Sequence, residues 1–297
     1  MADGTVRLLV FGHTGQVGGA LRLGNWPGVS VTSLSRAQAD LTRPETVTEA
    51  VRALPCDVVV NAAAYTAVDR AEAEPDTAFA VNRDGAGHIA AACAAAGQPL
   101  IHLSTDYVFD GAKATPYTED DPVCPLNVYG ASKAAGEEAV RRVLERHLIL
   151  RTSWVFGPHG NNFVRTMLRL GQERDRLRVV ADQTGCPTAA GDIATIVIAL
   201  ARRLAAGDEG AWGTYHCCGA PPTTWHGFAT RIFEERRRLI GQPAPTIDAI
   251  ATADYPTPAR RPINSVLDTA RLTTLLGITA PDWRLALPES ITACGIE

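Results

Sequence analysis

The first half of the chain alternates short, wholly apolar runs with alanine-rich stretches of helical period. Val6–Phe11, Val29–Leu34, Asp57–Asn61, Leu100–Ser104 and Leu148–Thr152 read as five strands. Between them, Gln16–Leu23, Val47–Leu54, most of Ala71–Ala96, and Tyr129–Arg146 read as helices. A strand that is apolar on both sides needs cover on both sides. The alternation therefore predicts an α/β fold, a parallel sheet between two helical layers. Right-handed crossovers make such a sheet doubly wound. Ala86–Ala96 (AGHIAAACAAA) reads as a helix of small residues packed closely on the sheet.

After Val155 turn-rich segments interrupt the pattern: GPHGNN, PPTTWHG, and YPTPARRP from Tyr255 to Pro262. Leu177–Val180 and Ile193–Leu204 are expected as one more strand and helix of the sheet. The expected division is residues 1–155 plus 176–218 in a dinucleotide-binding domain. Residues 156–175 plus 219–297 would form a smaller, discontinuous substrate lobe.

Composition mostly excludes. The 297 residues are 46% hydrophobic and 20% charged, ordinary for a chain that buries a core. A net charge of -4 offers no basic field for nucleic acid or an acidic membrane. The N-terminal segment lacks the apolar centre of a signal peptide, and no apolar run has the length of a membrane span. Seven scattered cysteines without a CxxC pair fit a reducing cytoplasm.

The chemistry begins at Gly12-His13-Thr14-Gly15-Gln16-Val17-Gly18, directly after the first strand. Glycines allow a tight turn and let backbone N–H groups approach a pyrophosphate, to which the helix start offers partial positive charge. At the end of the second strand an acidic residue would hold a ribose 2′-hydroxyl and repel a 2′-phosphate. Ser35-Arg36 stands there instead. A guanidinium pairs with a phosphate and stacks on adenine, which favours NADPH and leaves NADH open. Asp40-Leu41 follows at a distance suited to the adenine edge, and Ala62-Ala63-Ala64 lets a cofactor lie against the backbone.

Tyr129 and Lys133 stand four apart, on one side of a helix. An ammonium about 5 Å away favours tyrosinate by about 3 kcal/mol at an effective dielectric of about 20, or about 2 pKa units. That spacing predicts a phenol tuned for proton transfer. Ser104-Thr105-Asp106 ends the fourth strand, at the sheet edge where ligands of such folds bind, so a hydroxyl there can hold a substrate carbonyl.

These residues together resemble the extended short-chain dehydrogenase/reductases, which bind NAD(P) on a Rossmann fold. The segments NAAAYTAVDRAE, STDYVFDG, PLNVYGASKAAGE, RTSWVFGPHGNNFVRTML, DQTGCPT, TTWHGFA and YPTPARRPINSVLD resemble one branch of them, the dTDP-4-dehydrorhamnose reductase family, from about Arg7 to Leu267. The resemblance implies that NADPH reduces the C4 keto group of a dTDP-linked 4-keto-6-deoxy sugar. Tyr129 would protonate the C4 oxygen, Lys133 would hold the nicotinamide ribose and lower the tyrosine pKa, and Thr105 would hydrogen-bond the carbonyl. Gly15, Gln16 and Val17 would line the pyrophosphate, Asp40 and Leu41 the adenine, and Ala63, Ala64 and Tyr65 the dinucleotide. Val68, Ser104, Thr105 and Trp154 would face the sugar. Asn161, Asn162, Trp225 and Arg261 are candidates for the nucleotide and sugar side, Trp225 being equally a core residue.

Two positions depart from the family. Some members carry a glutamate soon after the third glycine that joins a magnesium-bridged dimer. Here Ala20 stands in that stretch, so Mg2+ is doubtful and no metal is expected, while a homodimer stays open. Ser35-Arg36 replaces an aspartate found in some members. Two other functions stay open: a related nucleotide-sugar 4,6-dehydratase or 4-epimerase, for which Asp106 offers a carboxylate, and a non-catalytic NADP-binding regulatory subunit.

Overall fold

The structure, a computed structural model, describes residues 5–210 and 212–294; the outermost residues of both expected units, 1–4 and 295–297, lie outside it. The first half runs β1 (Val6–Phe11), α1 (Gln16–Leu23), β2 (Val29–Leu34), α2 (Pro44–Ala53) and β3 (Val58–Asn61). Two short helices follow, α3 (Val68–Ala71) and α4 (Pro75–Phe79), then a π turn at Ala80–Asp84 and α5 (Gly85–Ala96). Next come β4 (Leu100–Thr105), α6 (Val128–Val143) and β5 (His147–Thr152). The second half holds β6 (Val155–Phe156), α7 (Phe163–Glu173), β7 (Arg176–Val180), β8 (Thr184–Gly185), β9 (Thr188–Ala189) and α8 (Ala190–Ala205). It closes with β10 (Gly213–His216), β11 (Thr223–Thr224), α9 (Trp225–Ile240), β12 (Thr246–Ile250), α10 (Ala270–Leu276) and α11 (Trp283–Ala293). Among the described residues no helix is long and apolar enough to cross a membrane.

The main sheet has six parallel strands in the order β10-β5-β4-β3-β1-β2. β2 and β3 flank β1 on opposite sides, so the chain reverses direction across the sheet there. Such a reversal opens a crevice beyond the carboxyl ends of the strands. Phe11 is in register with Leu34 and Asn61, and Thr105 with Thr152, so the residues after these strands share one edge. On one side Leu21 of α1 and Ile193, Val197 and Leu200 of α8 cover Leu8, Val10, Val60 and Leu150. On the other, Val47 of α2, Ile89 and Cys93 of α5 and Val140 of α6 cover Leu9, Val59 and Ile149. This is the doubly wound α/β sheet that the apolar runs predict.

One expectation needs correction. Leu177–Val180 is a strand, but it pairs with β12 in a separate two-stranded sheet, outside the main one. Leu177 and Val179 are buried while Arg176 and Arg178 are exposed, which suits a strand with one wet side. They pack with Phe156, Val164, Phe228, Ile232, Trp283 and Leu287 in a second apolar cluster. The sixth strand of the main sheet is instead β10, beside β5.

α6 carries the predicted Tyr and Lys, and two features fix its height on the sheet. A Cβ on Gly130 would fall 2.1 Å from the Tyr107 carbonyl oxygen, so only glycine permits this approach. Deeper in, Glu137 is completely buried and holds four hydrogen bonds. Ser104 donates at 2.6 Å, Arg151 through Nε at 2.9 Å and Nη2 at 2.7 Å, and Arg141 at 2.8 Å. Burial pushes this carboxyl up, but the hydrogen bonds and charge of Arg151, with Ser104 and Arg141, outweigh it and hold it at about 2. The cluster joins α6 to both β4 and β5.

Glu137→Ala is expected to lower folding stability by about 3–5 kcal/mol, because it strands the buried Arg151 charge. The native carboxyl is depressed, so its contribution is full above its ordinary value of 4.5 and is lost as pH falls toward 2. Denaturant unfolding at neutral and acid pH measures both effects; equal stability of variant and parent at pH 7 would refute them.

Candidate active site

The glycine loop leaves β1 at the reversal point. Gly12 has φ +111°, and a Cβ there would lie 2.7 Å from the Ala62 carbonyl. A Cβ on Gly18 would lie 2.0 Å from the Gly12 oxygen. Both glycines are demanded by the fold itself. Gly15 differs: its Cβ would meet nothing closer than 3.5 Å, and no side chain caps α1 at this residue. Bare backbone at an uncapped helix start, with space beside it, fits a pyrophosphate. Val17 is buried in the core below, so its backbone alone is offered.

Gln16 does more than line the loop. Its Nε2 donates to the Val155 carbonyl at 3.1 Å, and its Oε1 accepts from Asn162 at 3.1 Å. Asn162 also donates to the Gly157 carbonyl and accepts from the Arg165 N–H as the cap of α7. Its side chain is engaged on both its donor and its acceptor side within the protein. Asn161 is exposed and lines a cavity with Arg165, Arg169, Gln172 and Cys294, away from the Tyr129 pair.

At the end of β2, Ser35 is tied to Gln38. The Arg36 side chain is 79% exposed and reaches Asp40 at 3.1 Å. Asp40 also accepts the N–H and hydroxyl of Thr42, and the Thr42 N–H chiefly holds its carboxyl below the usual range. An exposed ion pair of this kind contributes at most about 1 kcal/mol, so Arg36 can leave Asp40 for a 2′-phosphate at small cost. Leu41 is buried, with its carbonyl bound by His88. Beyond β3, the Ala63 N–H is held by Asn61 and the Tyr65 N–H by Asn82, which fixes the backbone path through Ala64. The Tyr65 hydroxyl donates to Glu74.

The strand-end hydroxyl and the helix tyrosine meet. The Thr105 hydroxyl lies near enough to the Tyr129 phenol to lower its pKa, and Tyr107 packs edge-on against Tyr129 at 5.8 Å. Thr105 also accepts the Tyr107 N–H at 3.2 Å and lies 3.0 Å from Asp106 Oδ1. Ser104 points to the opposite side of β4, as strand alternation requires, and its proton goes to Glu137. It therefore supports α6. Lys133 is 2% exposed and donates to the Leu103 carbonyl at 2.6 Å.

Electrostatics here are governed by desolvation. Burial pushes the Tyr129 phenol up to about 12; the Thr105 hydroxyl pulls it down and the nearby Asp106 raises it further. Burial pushes Lys133 down to about 8, against the pull of Glu137. The expected lowering of the tyrosine by Lys133 is thus overturned. Loss of water chiefly sets the phenol's pKa, and the Lys133 ammonium donates instead to Leu103. Tyr129 remains a proton carrier across neutral pH. Burial also raises Asp106 to about 7, against hydrogen bonds from Ser265 and Thr105.

On the far side, Trp154 adopts φ +46°, an uncommon conformation for a bulky residue. Its ring stacks on Trp225 at 3.5 Å and 5°, with Phe163 tilted onto the pair. Both indoles are half-buried, so they serve the second cluster and also present an edge outward. Val68 opens α3, beside Asp69. Arg261, a candidate for the nucleotide and sugar side, donates to Asp69 at 3.0 and 2.8 Å and to the Ala259 carbonyl. A bidentate carboxylate claims its planar fork. Among the described residues no group of three or more His, Cys, Asp or Glu could hold a metal ion. Sequence reasoning missed Glu137, although it continues the four-residue spacing of Tyr129 and Lys133, and missed Arg151 and Asn82, which carry no such signal.

Comparisons with known proteins agree with this geometry. The family described as the RmlD substrate binding domain matches residues 6–295. A dTDP-4-dehydrorhamnose reductase of Sinorhizobium fredii is 47% identical over 98% of this chain and 99% of its own. One from Escherichia coli K12 is 43% identical over 96% and 97%. The crystal structure of the Bacillus anthracis dTDP-4-dehydrorhamnose reductase in complex with NADP superposes with a TM-score of 0.90 at 33% identity, covering 97% of this chain and 99% of that one. On sequence, fold and site together, the chain belongs to the dTDP-4-dehydrorhamnose reductase family.

Proposed function

We propose that the protein reduces the C4 keto group of dTDP-4-dehydro-L-rhamnose (dTDP-6-deoxy-L-lyxo-4-hexulose) to dTDP-L-rhamnose, the last step of dTDP-rhamnose synthesis. The observation that carries this reading is the Thr105–Tyr129 hydroxyl pair at the carboxyl end of β4, one helical turn from Lys133. Bound NADPH supplies a hydride to C4. Tyr129 gives its proton to the C4 oxygen, and the buried phenol holds that proton until the oxygen becomes basic. Thr105 donates a hydrogen bond to the same oxygen. Lys133, released from the Leu103 carbonyl, binds the nicotinamide ribose. Gly15 and the start of α1 receive the pyrophosphate, and Arg36 the 2′-phosphate. The main sheet with its helices carries the cofactor. The second cluster carries the sugar and nucleotide, with Val68, Trp154 and Trp225 as its wall. A homodimer and a cytoplasmic setting complete the proposal, the latter because all seven cysteines are unpaired.

The deciding experiment mixes the protein with dTDP-6-deoxy-L-lyxo-4-hexulose and NADPH. Stoichiometric NADPH oxidation with formation of the L-rhamno product is expected. Recycling of cofactor without net consumption would point to a dehydratase or epimerase, and no reaction to a binding subunit.

Tyr129→Phe is expected to keep NADPH binding, read by fluorescence titration, and to lower kcat by about 10²–10⁴-fold, the usual weight of a general acid. Near-normal turnover in this variant would remove the assigned proton donor. Arg36→Ala should reduce the kcat/KM ratio of NADPH to NADH by about tenfold, the loss of one exposed charged contact to phosphate. An unchanged ratio would show that the 2′-phosphate is held elsewhere.

A further inference from the structure

Asp106 stands beside the reacting pair without a part in the scheme above. It is 2% exposed, and Thr105 Oγ1 lies 3.0 Å from its Oδ1. Oδ2 is buried with no hydrogen-bonding partner among the described residues. The Ser265 hydroxyl and the N–H groups of Asp106 and Tyr107 also favour the ionised form, but loss of water is the larger influence. The titratable groups that face it are the phenols of Tyr107 and Tyr129 and the thiols of Cys186 and Cys218, with the hydroxyls of Thr105 and Ser265.

A hydroxyl has one proton to give and two lone pairs. One lone pair of Thr105 is taken by the Tyr107 N–H. If Asp106 is ionised, it accepts the single Thr105 proton. The remaining lone pair then faces the site and draws the Tyr129 O–H toward itself. No donor is left for a substrate carbonyl. If Asp106 is protonated, its O–H donates to that second lone pair. Thr105 then donates into the site, and Tyr129 keeps its own proton aimed at the substrate. Only the second arrangement supplies both donors to a substrate carbonyl.

We propose that Asp106 is a positioning residue: protonated, it turns the Thr105 hydroxyl toward the substrate carbonyl, and ionised, it turns that hydroxyl away. The inference rests on the reading that Thr105 hydrogen-bonds the reacting carbonyl. It assigns the buried carboxyl the task of setting which of two hydrogen-bond patterns the site holds.

The test is the pH profile of kcat/KM with the keto-sugar and NADPH, which reports groups of the free enzyme. In the parent, kcat/KM falls about tenfold per pH unit above a midpoint near 7, with Lys133 adding a second fall above about 8. In Asp106→Asn the amide donates to Thr105 at every pH, so the fall near 7 disappears while the one near 8 and the low-pH plateau remain. In a Thr105→Val background, Asp106→Asn leaves the profile unchanged. Persistence of the inflection near 7 in Asp106→Asn overturns the inference. So does a folded, NADPH-binding Asp106→Asn that is inactive throughout. A second readout needs no variant: aspartate-edited infrared spectroscopy of the parent should show a protonated buried carboxyl at pH 6 that is gone at pH 9. Absence of that band at pH 6 overturns the inference even where the variant fails to fold. Failure of the parent to turn over at any pH would instead count against the reductase reading.

Discussion

The site depends on one carboxylate that never meets substrate. Glu137 lies just past the middle of α6, where Arg151 from β5, Ser104 from β4 and Arg141 from its own helix converge on it. Charges are not buried cheaply, and this one is tolerated because its oxygens are filled by donors from three elements. The geometry that results is exacting. Tyr129 and Lys133 lie two turns and one turn before Glu137, so the depth of one anchor sets the height of both groups above the sheet. Gly130 permits the same close approach at the start of the helix. A general acid has to stand within hydrogen-bond reach of its partner oxygen, and a rigidly seated helix achieves this better than a loop.

Water is the second constraint. Coulomb reasoning between neighbouring side chains predicts a lysine that makes the tyrosine more acidic. Withdrawal from solvent acts on both groups and is the larger effect: it keeps the phenol protonated and makes the ammonium easier to discharge. In the proposed scheme these directions are useful, since it uses the tyrosine as a donor and the lysine as a cation that takes new partners. The same withdrawal leaves Asp106 close to balance between its two forms.

Much of the fold was legible because fully buried parallel strands leave an unmistakable trace. VRLLVF, DVVVN and LIHLS have no wet side, and the structure places them at or near the centre of the sheet. RLRVV is different. Its alternation of arginine with leucine and valine already signalled a strand wet on one side, yet its position in the chain invited assignment to the main sheet. The strand that fills that place, GTYH, is short and follows a turn, so nothing in its composition announces it. At the candidate site, spacing along one helix or one strand end pointed to Thr105, Tyr129, Lys133 and the glycine loop, and the structure places Thr105, Tyr129 and Lys133 at the end of β4 and the start of α6. Residues whose role comes from distant partners were beyond reach of spacing. Ser104, Asn162 and Arg261 are polar and well placed in sequence, but Glu137, Gln16 and Asp69, far from them along the chain, claim their hydrogen bonds.

Gln16 ties the phosphate loop to a segment 139 positions later in the chain, and through Asn162 to the first turn of α7. A single amide thus joins the start of α1 to the start of α7, across the seam between the main sheet's helices and the second apolar cluster. If the loop holds a diphosphate and the indoles wall the sugar, as proposed, this amide is where a shift at one ligand would be passed to the other.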